Sequence, residues 1–210
     1  MPGSIKTVFH ITANRIAADT KDNMIDTLVA RVKGFLFNPV ETFQQSKTDE
    51  PVTVFACFGI LLLFNAILSA LVALIGISIM PVREGMSYGM PVPVAVFLVM
   101  LIGGLTGTLI LSVWLHLWVY LLGGRKGIMQ TTYAVIYGST PRLLLGWVPV
   151  IGLFFAIWSL ALGIIGIREL QDLSTTKAIL AVAIAIFIPL ILLILLAAWV
   201  YTAVATVTAV

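Results

Sequence analysis

Tyr137-Gly138-Ser139-Thr140-Pro141-Arg142-Leu143-Leu144-Leu145-Gly146-Trp147-Val148-Pro149 is the stretch on which the fold turns. It sits in an otherwise apolar region from Tyr133 to Ala178, yet it combines two prolines, glycines, hydroxyls and an arginine. A lipid-facing helix avoids such groups because hydrocarbon offers them no partner. The segment is therefore expected to lie inside a bundle whose other helices shield it. Its reading decides whether residues 128–167 cross a bilayer once or twice. Some forty residues separate the basic loop at Arg125 and Lys126 from Arg168, and that is about twice what one helix needs to cross roughly 30 Å of hydrocarbon.

Charge placement gives the same answer. With two crossings, one side of the membrane collects Lys6, Arg15, Lys21, Arg31, Lys33, Lys47, Arg125, Lys126, Arg168 and Lys177. The other keeps Arg83 and Arg142, an asymmetry that places the N-terminus in the cytoplasm. A single crossing would move Arg168 and Lys177 to the far side and weaken it. The chain is thus expected to reverse between Leu145 and Val150, with the C-terminus outside or lumenal.

Composition agrees: 60% of the 210 residues are hydrophobic and 10% charged, with a mean hydropathy of +1.12, far from soluble averages. The fold class is an all-α, polytopic membrane bundle of five transmembrane helices, preceded by an interfacial amphipathic helix. The spans are expected at about 52–79, 94–122, 128–146, 149–167 and 178–201, within a bundle over 51–210, and the last is expected to kink at Pro189. Residues 1–23 have no apolar run of signal-peptide type and are expected to be poorly ordered, with Met24 an alternative start. Residues 24–50 form a cytoplasmic lead-in. Ile25, Leu28, Val29, Val32 and Leu36 recur at helical spacing with Asp26, Arg31 and Lys33 elsewhere around the wheel, and Phe35 and Phe37 are expected to dip toward acyl chains. Asn38-Pro39-Val40-Glu41 starts a second short helix.

The net charge of +3 arises from membrane-flanking positions and gives no reason to expect a nucleic-acid partner. Cys57, the one cysteine, lies in an apolar run and reads as a small buried or lipid-facing residue. No metal, cofactor or catalytic residue is assigned, because the chain has no phosphate-binding glycine loop, no His-Glu-x-x-His and no Cys/His cluster. Ser78 and His116 superficially resemble a serine-protease pair, but their expected depths differ.

Candidate packing and functional residues remain. Asn65 and Ser69 share one face of the first span and are expected to bond between helices. Gly103 and Gly107 form a small-xxx-small face, able to bring another backbone close within the bundle or in a homo-oligomer. Trp114, Trp118 and Tyr120 read as an interfacial belt, and His116 among them is either a hydrogen-bonded interfacial residue or a titrating or metal-binding one. Tyr133 and Tyr137 belong to the polar third span. Arg142 either snorkels to the interface or is a buried functional charge, and Pro141 frees backbone carbonyls that would satisfy it.

Together, Phe37-Asn38-Pro39-Val40-Glu41-Thr42-Phe43, the Tyr133 to Gly146 segment, Ile157-Trp158-Ser159-Leu160, Gly166-Ile167-Arg168-Glu169-Leu170 and Leu173-Ser174-Thr175-Thr176-Lys177-Ala178 resemble the Yip domain family of Ypt/Rab-interacting multi-spanning membrane proteins. The resemblance covers roughly Leu28 to Pro189. It implies five spans and a cytoplasmic N-terminus, and in eukaryotic members a role in vesicle trafficking through Rab GTPases and sister proteins. This chain lacks the long polar cytoplasmic domain and the Asp-Leu-Tyr-Gly-Pro type motif of those members, and looks more like a compact prokaryotic form placed in the cell membrane. A Rab partner is therefore not carried over, and no functional residue is transferred. Two functions follow: a non-enzymatic scaffold that contacts lipid and partner proteins, or a small anion or lipid transporter or channel using the polar third span and Arg142. The first is preferred, because none of the nine acids lies inside an expected span, where a proton or cation relay would need one.

Overall fold

A computed structural model describes residues 26–75 and 90–208. Within them the chain is helical and contains no strand: α1 (26–37), α2 (Pro39–Gln45), a 3₁₀ turn (Ser46–Thr48), α3 (Pro51–Leu74), α4 (Val92–Leu121), α5 (Ile128–Gly138), α6 (Thr140–Leu145), α7 (Ile151–Leu170) and α8 (Thr175–Thr208). Four of these, α3, α4, α7 and α8, are long and apolar enough to cross a membrane. The N-terminal extension expected over 1–23, the alternative start at Met24, the end of the first span with Ser78, and the loop holding Arg83 and Glu84 lie outside the described residues.

Proline starts several helices. Pro39 and Pro51 each stand in a first turn, where their missing N–H costs nothing. Pro141, also near a helix start, explains why the expected third span is divided into α5 and α6. It cannot donate to the Tyr137 carbonyl four residues back. Hydrogen bonding nevertheless continues through the break, from Ser139 N–H to Val135 O at 3.0 Å and from Leu143 N–H to Ser139 O at 2.9 Å. The two pieces together run about 27 Å. Helix α8 continues through Pro189.

Helices α5 and α6 pack antiparallel against α7. Gly138 lies against the Gly163 backbone and Ala134 against Gly166, the Arg142 amide donates to Ser159 Oγ at 3.0 Å, and Gln171 Nε2 donates to Thr131 Oγ1 at 2.9 Å. Each step forward on one helix meets a step backward on the other, so the chain reverses between Leu145 and Val150, as the sequence reading requires. A Cβ on Gly138 would come within 2.8 Å of Gly163 Cα, so glycine here is what lets the helices approach. The reversal closes on Val150, with φ +67° and ψ −54°. The Ile151 N–H reaches Pro149 O at 2.7 Å, which is a strained γ-turn for a β-branched residue.

At the other end of this hairpin, the lead-in, the α4–α5 loop and the α7–α8 loop meet. Lys47 and Lys126 both pair with Asp172, at 2.7 and 2.8 Å. Gln44 Nε2 donates to Glu169 Oε2 at 3.0 Å, and Gln130 Nε2 to Lys47 O at 3.1 Å. Three segments expected on one side are thus brought to one end of the bundle.

Two expectations for the lead-in are corrected. Phe35 is fully buried, stacked 4.5 Å from the Tyr137 ring and 4.7 Å from Phe43, while Phe37 is 79% exposed. Arg31 lies on the inward stripe with Leu28, Val32 and Phe35, not on the solvent side, because at 100° per residue it falls beside them. Trp114 and Trp118 pack against the core, with Trp114 Nε1 donating to Ala185 O at 2.8 Å, and of the expected belt Tyr120 alone is exposed.

Candidate functional site

The polar residues singled out in the sequence separate into two regions at opposite ends of the α5–α7 hairpin. The first is the junction where the lead-in meets the bundle. Arg31 forms an ion pair with Asp49 and donates to Ser46 Oγ at 3.1 Å. Asp49 also accepts from Tyr137 Oη at 2.6 Å, and its carbonyl accepts from Tyr133 Oη at 3.4 Å. Asp49 is 10% and Arg31 20% exposed at the side chain. This pair is largely buried, and the Tyr137 and Ser46 hydroxyls add hydrogen bonds to it.

Neither Asp49 nor Arg31 was singled out by sequence. Tyr133 and Tyr137 were, and two hydroxyls four residues apart on a buried face require acceptors. Asp49, at the mouth of the first span, was available to supply them.

His116 belongs to this half. Its Nδ1 lies 2.8 Å from Thr131 Oγ1, which also accepts from Gln171 Nε2. Gln171 in turn donates to Gly127 O at 2.8 Å and accepts from the Lys126 amide at 3.0 Å. Thr131 and Gln171 are buried, so this chain ties α4, α5 and the end of α7 together. The described residues contain no group of three or more metal-ligating side chains, and Ser78 lies outside them. Nearby, hydrogen bonds from Lys126 and Lys47 hold the exposed Asp172 carboxyl below its usual range.

The second region is a cleft of about 610 Å³ between α3, α4, α6 and α7. It brings together Arg142, Asn65, Ser69 and Gly103. Asn65 Nδ2 donates to the carbonyls of Leu143 (3.0 Å) and Arg142 (3.3 Å), the interhelical role expected of it. Ser69 Oγ, by contrast, is buried and unbonded. The Arg142 guanidinium has no hydrogen-bond or ion-pair partner among the described residues. Pro141 is buried beside it, but the nearby carbonyls are taken by Asn65 and not by the guanidinium.

Gly103 opens onto the cleft, and Gly107 onto an apolar groove with Trp114 and Pro189. A Cβ on either would meet nothing within 4 Å. The close backbone approach expected of these glycines is made elsewhere, by Gly138 against Gly163.

A family model described as Yip1 domain matches residues 33–209. No curated protein and no solved structure matches the chain.

Proposed function

Because the chain belongs to the Yip1 domain family and is a multi-pass membrane protein with four helices able to cross a bilayer, we propose that it is a non-enzymatic membrane scaffold. It crosses the membrane five times. The antiparallel pairing with α7 supports counting α5 and α6 as the additional crossing, since the two partners run side by side over nearly the same length. The N-terminus faces the cytoplasm, in the cell membrane if the source is prokaryotic. The lead-in lies at that interface as an amphipathic element, with exposed Phe37 toward the acyl chains.

One observation carries the preference for a scaffold over a transport path. Apart from Thr140, the hydroxyls of the third crossing are engaged within the protein: Thr131 with His116 and Gln171, Thr132 with Ile128 O, Tyr133 and Tyr137 with Asp49, and Ser139 with Ile136 O. A helix that lined a water path would present these groups to the path. The cleft reaches Ser139 on this helix, and Tyr133 and Tyr137 do not line it. The cytoplasmic end is instead a rigid platform of lead-in and loops, suited to holding a protein partner. The unoccupied face of Gly107 suits a homo-oligomer. No nucleic acid, Rab GTPase, metal or cofactor enters this reading.

The alternative, an anion or lipid transporter or channel using Arg142, draws on the cleft alone. Purified protein in liposomes tests between them. The scaffold reading expects ion and lipid flux no greater than in protein-free vesicles, and flux abolished by Arg142→Ala would overturn it.

A further inference from the structure

From the cleft beside Arg142, we infer a binding site for an anionic headgroup, a phosphate or carboxylate, with an attached acyl chain along the cleft's apolar wall. The site rests on the reading that these helices cross the bilayer. Arg142 pairs in register with Ser159, eight residues into α7, which places it about 12 Å below the tip of that helix. That depth is the backbone's; the Arg142 side chain is exposed along the cleft, and its guanidinium, costly in hydrocarbon unless it is paired or reaches the interface, has no protein partner among the described residues. Arg142 is the one charged side chain among the described residues of the lining, and no carboxylate is present there.

A second observation is independent of the charge. Ser69, 8% exposed, holds a buried hydroxyl with no hydrogen-bond partner in the lining of the same cleft. Unbonded buried hydroxyls are rare because each loses its hydration without replacement. A headgroup oxygen in the cleft would supply the missing bond once the wall shifts enough to uncover this hydroxyl.

Size and wall chemistry favour a lipid as the source of the anion. About 610 Å³ falls in the range of sites that enclose a small organic ligand, and exceeds what a bare phosphate needs. Val72, Val96, Val99, Met100 and Leu153 make the remaining wall apolar. The wall is open beside Gly103, where a Cβ would meet no protein atom within 4 Å.

The test uses the full chain purified in detergent and read by native mass spectrometry, with phosphatidylglycerol, phosphatidylcholine and inorganic phosphate as separate probes. Phosphatidylglycerol is expected to be retained in preference to phosphatidylcholine, with retention falling about fivefold in Arg142→Gln through loss of the charged hydrogen bonds. Gly103→Leu, whose Cβ would meet no protein atom within 4 Å and whose remaining carbons enter the cleft, is expected to lower retention similarly, with an unchanged melting temperature showing that the fold is kept. Equal retention of both lipids, or retention of phosphatidylglycerol unchanged in both variants, would overturn the site. Arg142-dependent binding of inorganic phosphate with neither lipid retained would overturn the lipid as source. Retention is read on the folded chain in detergent, so its failure leaves the membrane topology and the scaffold reading standing, and theirs is detected by different measurements.

Discussion

The two ends of the α5–α7 hairpin are built from the same kind of residue and put them to opposite use. At the lead-in junction, Arg31 meets Asp49, and Asp49 meets Tyr137. At the cleft, Arg142 and Ser69 are left without partners among the described residues, and the chain turns on the strained Val150. The difference teaches that a polar residue in a membrane helix is not by itself a sign of a site. What distinguishes the two ends is whether the arginine already has a carboxylate partner.

Substitution at the glycines should separate the ends most sharply. Gly138→Leu drives a side chain into the backbone of Gly163, which cannot yield as a flexible side chain would, and is expected to destabilise the fold by about 3 kcal/mol or more. Gly103→Ala meets nothing and should be neutral or stabilising by up to about 1 kcal/mol through helix propensity. Unfolding in mixed micelles measures both, and equal effects would erase the distinction.

The two arginines provide the next comparison. Arg31→Ala leaves Asp49 without its cation, at a cost of about 3 kcal/mol, whereas Arg142→Ala removes a charge that no protein group pairs and should leave stability unchanged or raised. Tyr137→Phe removes one hydrogen bond to the same carboxylate and should cost about 2 kcal/mol. Its effect combined with Arg31→Ala should be non-additive, because both act on Asp49; additivity in a double-mutant cycle would mean that the junction is not one unit.

Val150→Gly should stabilise by about 1 kcal/mol by releasing the positive-φ strain, read in the same unfolding assay. The smallest effect concerns pH. Asp172 has its carboxyl pKa lowered in the folded state by Lys126 and Lys47. Its contribution is therefore present above the ordinary aspartate range and is lost as pH falls through the lowered value. Asp172→Asn should flatten the acid limb of the stability profile slightly, the pair being exposed.

Much of this architecture was legible in the chain. Long apolar runs mark α3, α4, α7 and α8, and the positions of Lys47, Lys126 and Lys177 predicted which loops share an end. Hydrophobic periodicity identifies a stripe but not what the stripe faces, so Phe35 was expected among acyl chains when it stacks on Tyr137. Glycine spacing likewise does not name a partner: Gly103 and Gly107 carry the familiar motif, and the close crossing falls to Gly138 and Gly163. The Asp49–Tyr137 contact joins residues 88 positions apart, beyond the reach of any local pattern. At the cleft, Arg142 and Asn65 stood out because polar groups are rare in such helices, but the missing partner of Ser69 is a property of packing alone.

The central claim is that residues 128–170 cross the bilayer twice, and site-directed labelling tests it most directly. In a chain whose buried Cys57 has been replaced by alanine, Lys126→Cys and Val150→Cys are each exposed to a membrane-impermeant maleimide from one side of sealed vesicles. Opposite sidedness of the two positions is predicted. Labelling of both from the same side would contradict the fold-back across the membrane and the orientation built on it.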